Sequence, residues 1–397
     1  MLYTQGKTDC KPSEVGYDES RIEAVNKHFQ RLIDDGEIQC AAYCVSRLGK
    51  VFMNGAIGMK SFKKDDTTPL QPDCVNYIAS ITKIFTAVAI MKLVEDGITR
   101  LDVPVGDILP QFNTPSFNSV TLFHLLTHTS GMHADGGCFD NKYQINYWDH
   151  IEMAYKRHKS QNGEFDWIAA ALGTIGSGFR VKPDTEWAYC SFGFVILGAV
   201  IEKLTGISPH KYIEDNIMKP LKMIDSGFNI TVDMAKRFII SPLNEDVLKR
   251  IDNALNGKTE SHPLWDKIPQ TGGGINSTTY DLVRFGNMML SGGTLDGARI
   301  LGRKAVERMT TIVCALPNFC WGAKEKERFY GVGFDMRNGP AFTFSPGTFM
   351  HEGWGYSSLY MDPKEEMTAA WFVPFTRDEW FPRAQYNVQN VIWSGLK

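Results

Sequence analysis

The chain has 397 residues and a mass of 44.7 kDa, more than one small core usually organises, so a large single domain or two joined lobes is expected. Its 43% hydrophobic and 22% charged residues and formal net charge of -3 are ordinary for a soluble globular protein, and they lack the basic excess that nucleic-acid binding needs. No uncharged apolar run approaches about 20 residues, so no membrane span is expected.

The N-terminal stretch MLYTQGKTDCKPSEVGYDES has neither the basic start nor the apolar run of a secretory signal. The eight cysteines (Cys10, Cys40, Cys44, Cys74, Cys138, Cys190, Cys314 and Cys320) form no C-x-x-C pair. Together these features predict reduced thiols and a cytoplasmic protein.

The first element is an amphipathic helix over residues 19–35, where Ile22, Val25, Phe29, Leu32 and Ile33 recur at helical spacing before Gly36. Residues 41–58 read as two strands joined at Leu48-Gly49. The middle of the chain, from about Ser80 to Met289, is dominated by helical patterns, including 121–127, 191–204 and 279–289. Strands return at 329–336, 355–363 and 367–375, and a helix over 382–394 closes the chain. Strands at both ends of a helical middle predict an α/β (α+β) fold: an antiparallel sheet flanked by terminal helices, with an inserted mainly helical lobe. The expected division is 18–79 plus 290–397 for the sheet lobe and 80–289 for the helical lobe, with the site between them.

Within NYIASITKIFTAVAIMKLVEDG (76–97), Ser80 and Lys83 stand three residues apart at the start of an otherwise apolar helix. Side chains at i and i+3 share a helix face, about 5–6 Å apart at Cβ, so the Lys83 amine reaches the Ser80 hydroxyl. A serine hydroxyl is a poor nucleophile until a neighbouring base takes its proton, and burial lowers a lysine's pKa toward that role. S-x-x-K also occurs at Ser61/Lys64, Ser208/Lys211 and Ser394/Lys397. These three have simpler readings: a polar loop, a helix N-cap before Pro209, and the chain end.

In WAYCSFGFVILGAVIEKLTG, Tyr189 precedes an apolar helix, and a tyrosine facing an ammonium group has its pKa depressed toward general-base use. His351-Glu352-Gly353 stands at the entry to a predicted strand hairpin, where an edge strand lies along a substrate and glycine permits close backbone approach. His124 and His128 are spaced i, i+4, but Leu125 follows His124 where a zinc protease needs glutamate, so no metal is expected. Gly272, Gly273 and Gly274 read as a tight turn, since no phosphate-loop motif accompanies them.

Taken in order, IASITK, LLTHTSGM, AYCSFGFVILGAVIEKLTG, GGGINSTTYDLVRFGNMML and HEG resemble the serine β-lactamase and penicillin-binding protein superfamily over about residues 20–375. The likeness is strongest to the branch holding class C β-lactamases, D-alanyl-D-alanine carboxypeptidases, D-aminopeptidases, family VIII carboxylesterases and lovastatin-type acyltransferases. The resemblance implies a β-lactamase/transpeptidase-like fold. It implies Ser80 as nucleophile, Lys83 and Tyr189 as proton-shuttling partners, and His351 to Gly353 as the substrate-binding strand. The backbone N–H groups of Ser80 and Trp354 would form the oxyanion hole. No cofactor is implied, and the partner is a small ester, amide or β-lactam substrate.

Two positions depart from the family pattern. Ser191 stands where a tyrosine-x-asparagine motif has its carboxamide, and bulky Trp354 follows Gly353 where small residues are usual. Both favour an ester over a peptide or β-lactam amide. The expected function is therefore a carboxylesterase acting through an acyl-serine, ahead of a β-lactamase, a D,D-carboxypeptidase or D-aminopeptidase, and an acyltransferase. A penicillin-binding module without turnover is the non-enzymatic alternative.

Overall fold

The computed structural model describes residues 2–135, 147–158, 164–173, 181–242, 245–259, 261–318, 320, 327–337, 341–379 and 381–397. Its centre is a six-stranded sheet built from β1 (Tyr3–Gln5), β2 (Cys40–Arg47), β3 (Lys50–Gly58), β4 (Phe349–Gly353), β5 (Ser357–Asp362) and β6 (Met367–Phe372). The order across the sheet is β1-β3-β2-β6-β5-β4, and every neighbouring pair is antiparallel. The two chain ends thus meet where Ala370 pairs with Cys44. The fold is mixed helix and strand around an open antiparallel sheet, in line with the sequence expectation.

Successive strand side chains point to opposite faces, and both faces of this sheet are covered, so its strands read as nearly unbroken apolar runs. Ala41, Tyr43, Val45, Tyr360, Ala369 and Trp371 pack against α1 (Ser20–Asp34) and the C-terminal helix, through Val25, Phe29, Val388 and Ile392. Ala42, Cys44, Leu359, Met361 and Ala370 face the other way, onto Phe285 and Met288 of the helix Thr279–Leu290. That helix lies flat on the sheet because Gly286 has no side chain: a Cβ there would fall 2.3 Å from Thr368 Cγ2. Ser46 Oγ donates to Asn287 Oδ1 at 2.7 Å beside it. Fully burying each large apolar side chain in such layers contributes about 1.5–3 kcal/mol.

The helix expected after Ser80 begins as a short 3-10 turn, Ala79–Ile81, and continues as α2 (Thr82–Glu95). Thr82 to Met91 are buried all round, which explains why α2 is apolar on every face. Thr86 Oγ1 donates to Thr271 O at 2.7 Å, and Thr82 Oγ1 accepts from Ile275 N–H at 3.1 Å, fixing α2 to the glycine turn at 272–274.

Three expectations need correction. The strand expected over 329–336 extends only from Arg328 to Tyr330. Gly333, at φ 85°, turns the chain toward α2, where a Cβ would meet Ala87 Cβ at 2.3 Å. His351 lies inside strand β4 rather than at its entry. Cys320 is disulfide-bonded, against the expectation that all eight cysteines are thiols, because cysteines distant in sequence can still meet in the fold. Cys10, Cys40, Cys44, Cys74, Cys190 and Cys314 are free, and Cys138 lies outside the described residues. The cysteine argument for a reducing compartment therefore falls. Among the described residues, no single helix is long and apolar enough to cross a membrane.

Candidate active site

Ser80 sits in the 3-10 turn that feeds α2, partly open to solvent, while Lys83 is completely buried one turn later. Ala79, just before the serine, has the left-handed φ of 46°, a conformation that alanine adopts only when its surroundings hold it there. Lys83 Nζ donates to Ser80 Oγ at 3.0 Å and to Gly272 O at 2.7 Å. It also lies 4.8 Å from the centroid of the Tyr189 ring. Burial pulls the Lys83 pKa down to about 8, with the Asp135 charge opposing part of that fall.

Tyr189 closes the other side of the pair, with its hydroxyl hydrogen-bonded to Ser80. Its pKa is raised well above the ordinary value, first by burial and then by the Asp135 charge. The sequence expectation of a depressed tyrosine is thus reversed: Lys83 lies over the ring face, and burial outweighs its charge. At rest Tyr189 is a neutral phenol.

Asp135 is the site residue that sequence reasoning missed. Its Oδ1 accepts from Ser191 N–H at 2.7 Å and its Oδ2 from Ser191 Oγ at 2.5 Å, at the start of the helix Ser191–Thr205. Its own N–H donates to Tyr189 O at 2.8 Å. Burial pushes the Asp135 pKa up, opposed by Lys83 and by the Ser191 hydrogen bonds. The residue follows LLTHTSGM directly in HAD, a segment with no pattern to single it out.

His128 anchors this corner from beneath. In the left-handed region at φ 59°, its ring lies 4.4 Å from the Tyr189 ring, and its Nδ1 accepts from Cys190 N–H at 3.1 Å. His124 is instead held at Nδ1 by Thr121 N–H and at Nε2 by Asp184. The i, i+4 histidines therefore have separate structural partners.

On the sheet side, His351 lies with its ring 6.3 Å from that of Tyr189. Its Nδ1 donates to Glu352 O at 2.9 Å, leaving Nε2 as the acceptor. Burial, then the nearby Lys83 charge, pushes its pKa down to about 3, so the imidazole is neutral at physiological pH. Glu352 belongs to a separate buried network, accepting from Arg337 Nη2 at 3.1 Å and Tyr360 OH at 2.6 Å. Gly353 lies against the Ser80 turn, and Trp354 follows it in a turn, 47% exposed.

The structure thus groups Ser80, Lys83, Tyr189, Ser191 and His351 around one turn, with Gly353 against it and Trp354 next in the chain. The other S-x-x-K serines have local partners or positions. Ser61 Oγ accepts from Lys63 N–H, Ser208 precedes the helix Pro209–Ile213, and Ser394 Oγ donates to Val391 O.

A family model described as Beta-lactamase matches residues 25–388. The chain belongs to the beta-lactamase family. Among its relatives, penicillin-binding protein 4 of Amycolatopsis lactamdurans is 30% identical over 289 residues, covering 68% of this chain and 68% of that one. Esterase EstB of Burkholderia gladioli is 28% identical over 219 residues, covering 53% of this chain and 51% of the esterase. The fold matches a penicillin-binding protein homolog from Caulobacter crescentus with TM-score 0.71, at 20% identity, over 96% of this chain and 99% of the other. A family VIII carboxylesterase matches with TM-score 0.70 at 19% identity, over 96% and 99% of the two chains. Members of the beta-lactamase family are mostly hydrolases acting on small ester, amide or β-lactam substrates.

Proposed function

We propose that this member of the beta-lactamase family is a carboxylesterase that cleaves small esters through an acyl-serine at Ser80. The observation that carries the reading is the fully buried Lys83 amine, 3.0 Å from Ser80 Oγ, with its pKa drawn down to about 8. As the free amine, Lys83 takes the Ser80 proton as Oγ attacks the ester carbonyl. Tyr189, a neutral phenol bonded to Ser80, gives its proton to the departing alcohol. The resulting tyrosinate beside the Lys83 ammonium then takes a proton from water, whose hydroxyl attacks the acyl group. Lys83 returns its proton to Ser80 Oγ as the acid leaves. The backbone N–H groups of Ser80 and Trp354 hold the oxyanion.

The preference for an ester rests on Ser191 and Asp135. The Ser191 hydroxyl is committed to Asp135, so this corner presents a carboxylate rather than an N–H donor to a substrate carbonyl. A buried amide carbonyl left unpaired there would cost about 1–3 kcal/mol. Trp354 adds apolar surface next to the same turn.

A panel of short-chain p-nitrophenyl esters, a chromogenic cephalosporin and D-alanyl-D-alanine peptides tests the reading. Higher kcat/KM on the esters is expected. A cephalosporin hydrolysed faster than every ester would replace the carboxylesterase with a β-lactamase.

A further inference from the structure

Asp135 is more than a cap for the helix that starts at Ser191. A serine or asparagine would satisfy the Ser191 N–H without placing a full negative charge in the field of Lys83 and Tyr189. Asp135 as a residue is only partly buried, yet burial is the main influence on its carboxyl group. Both of its oxygens are aligned by Ser191, and each retains a lone pair. Among the described residues, it has no ion-pair partner. The nearest positive group in its field is Lys83, whose amine is already spent on Ser80 Oγ and Gly272 O. His351 and His128, the two imidazoles beside Tyr189, are both held neutral, first by burial and then by the Lys83 charge. A partly desolvated carboxylate with no counter-ion among the described residues is stabilised by a cation that pairs with it.

We infer that Asp135 is the anionic wall of a substrate subsite, and that the ester cleaved at Ser80 carries an ammonium group which pairs with this carboxylate. The inference rests on the esterase reading and narrows its substrate class to organic cations. Docking of the ammonium removes water from the pair, where one ion pair partly shielded from solvent is worth roughly a tenfold preference or more.

Two matched pairs of esters test this, one for each side of the scissile bond. p-Nitrophenyl 6-aminohexanoate is compared with p-nitrophenyl heptanoate, and butyrylthiocholine with its uncharged 3,3-dimethylbutyl thioester. The readout is the ratio of kcat/KM for the charged member to that for its neutral twin, measured on one enzyme at one pH. Changes in the Lys83 base cancel in this ratio. The wild-type ratio is expected to be about ten or more in at least one pair, and to fall to about one in Asp135→Asn, whose carboxamide oxygen still accepts the Ser191 N–H. A wild-type ratio below ten in both pairs, or one that survives in Asp135→Asn, overturns the inference while Ser80-dependent cleavage of the neutral esters leaves the esterase reading standing. Wild-type protein that cleaves none of the four overturns both.

Discussion

Gly353 stands directly against the carbonyl of Ile78: a Cβ at position 353 would lie 2.4 Å from Ile78 O, 2.5 Å from Ser357 Oγ and 3.0 Å from Ala79 Cβ. Ser357 Oγ donates to the same carbonyl at 2.9 Å. The strand β4 and the turn that carries Ser80 are therefore fitted to each other through one missing side chain, and the strained Ala79 φ is held from the sheet side.

Gly353→Ala is expected to displace that turn. Overpacking at such a contact costs about 1–3 kcal/mol of stability. A shift of about 1 Å at a nucleophile removes about 10²-fold in rate. Thermal unfolding and ester hydrolysis measured together check this. A variant with unchanged melting temperature and unchanged kcat/KM would show that the contact does not position Ser80.

Lys83 and Tyr189 act on one proton path in this mechanism, so their losses should not multiply. Lys83→Ala and Tyr189→Phe should each lower kcat by several powers of ten, and the double variant should be scarcely slower than the worse single one. Losses that multiply in the double variant would mean independent roles.

The pH dependence follows from the Lys83 amine. It serves as base only when deprotonated, so activity is low below its pKa of about 8 and rises with pH through that value. Roughly a tenth of such amines is free at pH 7. Because the Asp135 charge raises the Lys83 pKa, Asp135→Asn should move the rising limb of kcat/KM to lower pH. A limb that stays in place or moves upward in that variant would contradict the coupling.

Ser191→Asn would place a carboxamide beside Asp135 at the start of its helix. We expect partial recovery of amide or β-lactam turnover, read as a rise in the cephalosporin-to-ester ratio of kcat/KM. No rise in a well-folded variant would separate substrate choice from this position.

What the sequence reveals of this site depends on how local each relationship is. Ser80 and Lys83 are legible because the i, i+3 spacing of a helix brings them together. The sheet's alternation is legible in part, although double-sided burial hides the period in β2 and β6. Asp135 is not legible, since it reaches Ser191 across 56 positions and sits in a segment without periodicity. The direction of the Tyr189 shift is also missed. It depends on burial by His128, Trp187 and Tyr330, which pack around one another and Tyr189 from three separate parts of the chain. The disulfide at Cys320 is a matter of tertiary proximity that cysteine spacing does not encode.

The central claim is that Ser80 is the nucleophile, and covalent capture tests it most directly. Protein incubated with a fluorescent phosphonate, digested and analysed by mass spectrometry should carry one adduct, on Ser80, and Ser80→Ala should carry none while remaining folded and losing hydrolysis by several powers of ten. An adduct on another serine, or a folded Ser80→Ala that still hydrolyses esters at near wild-type rates, would contradict the account.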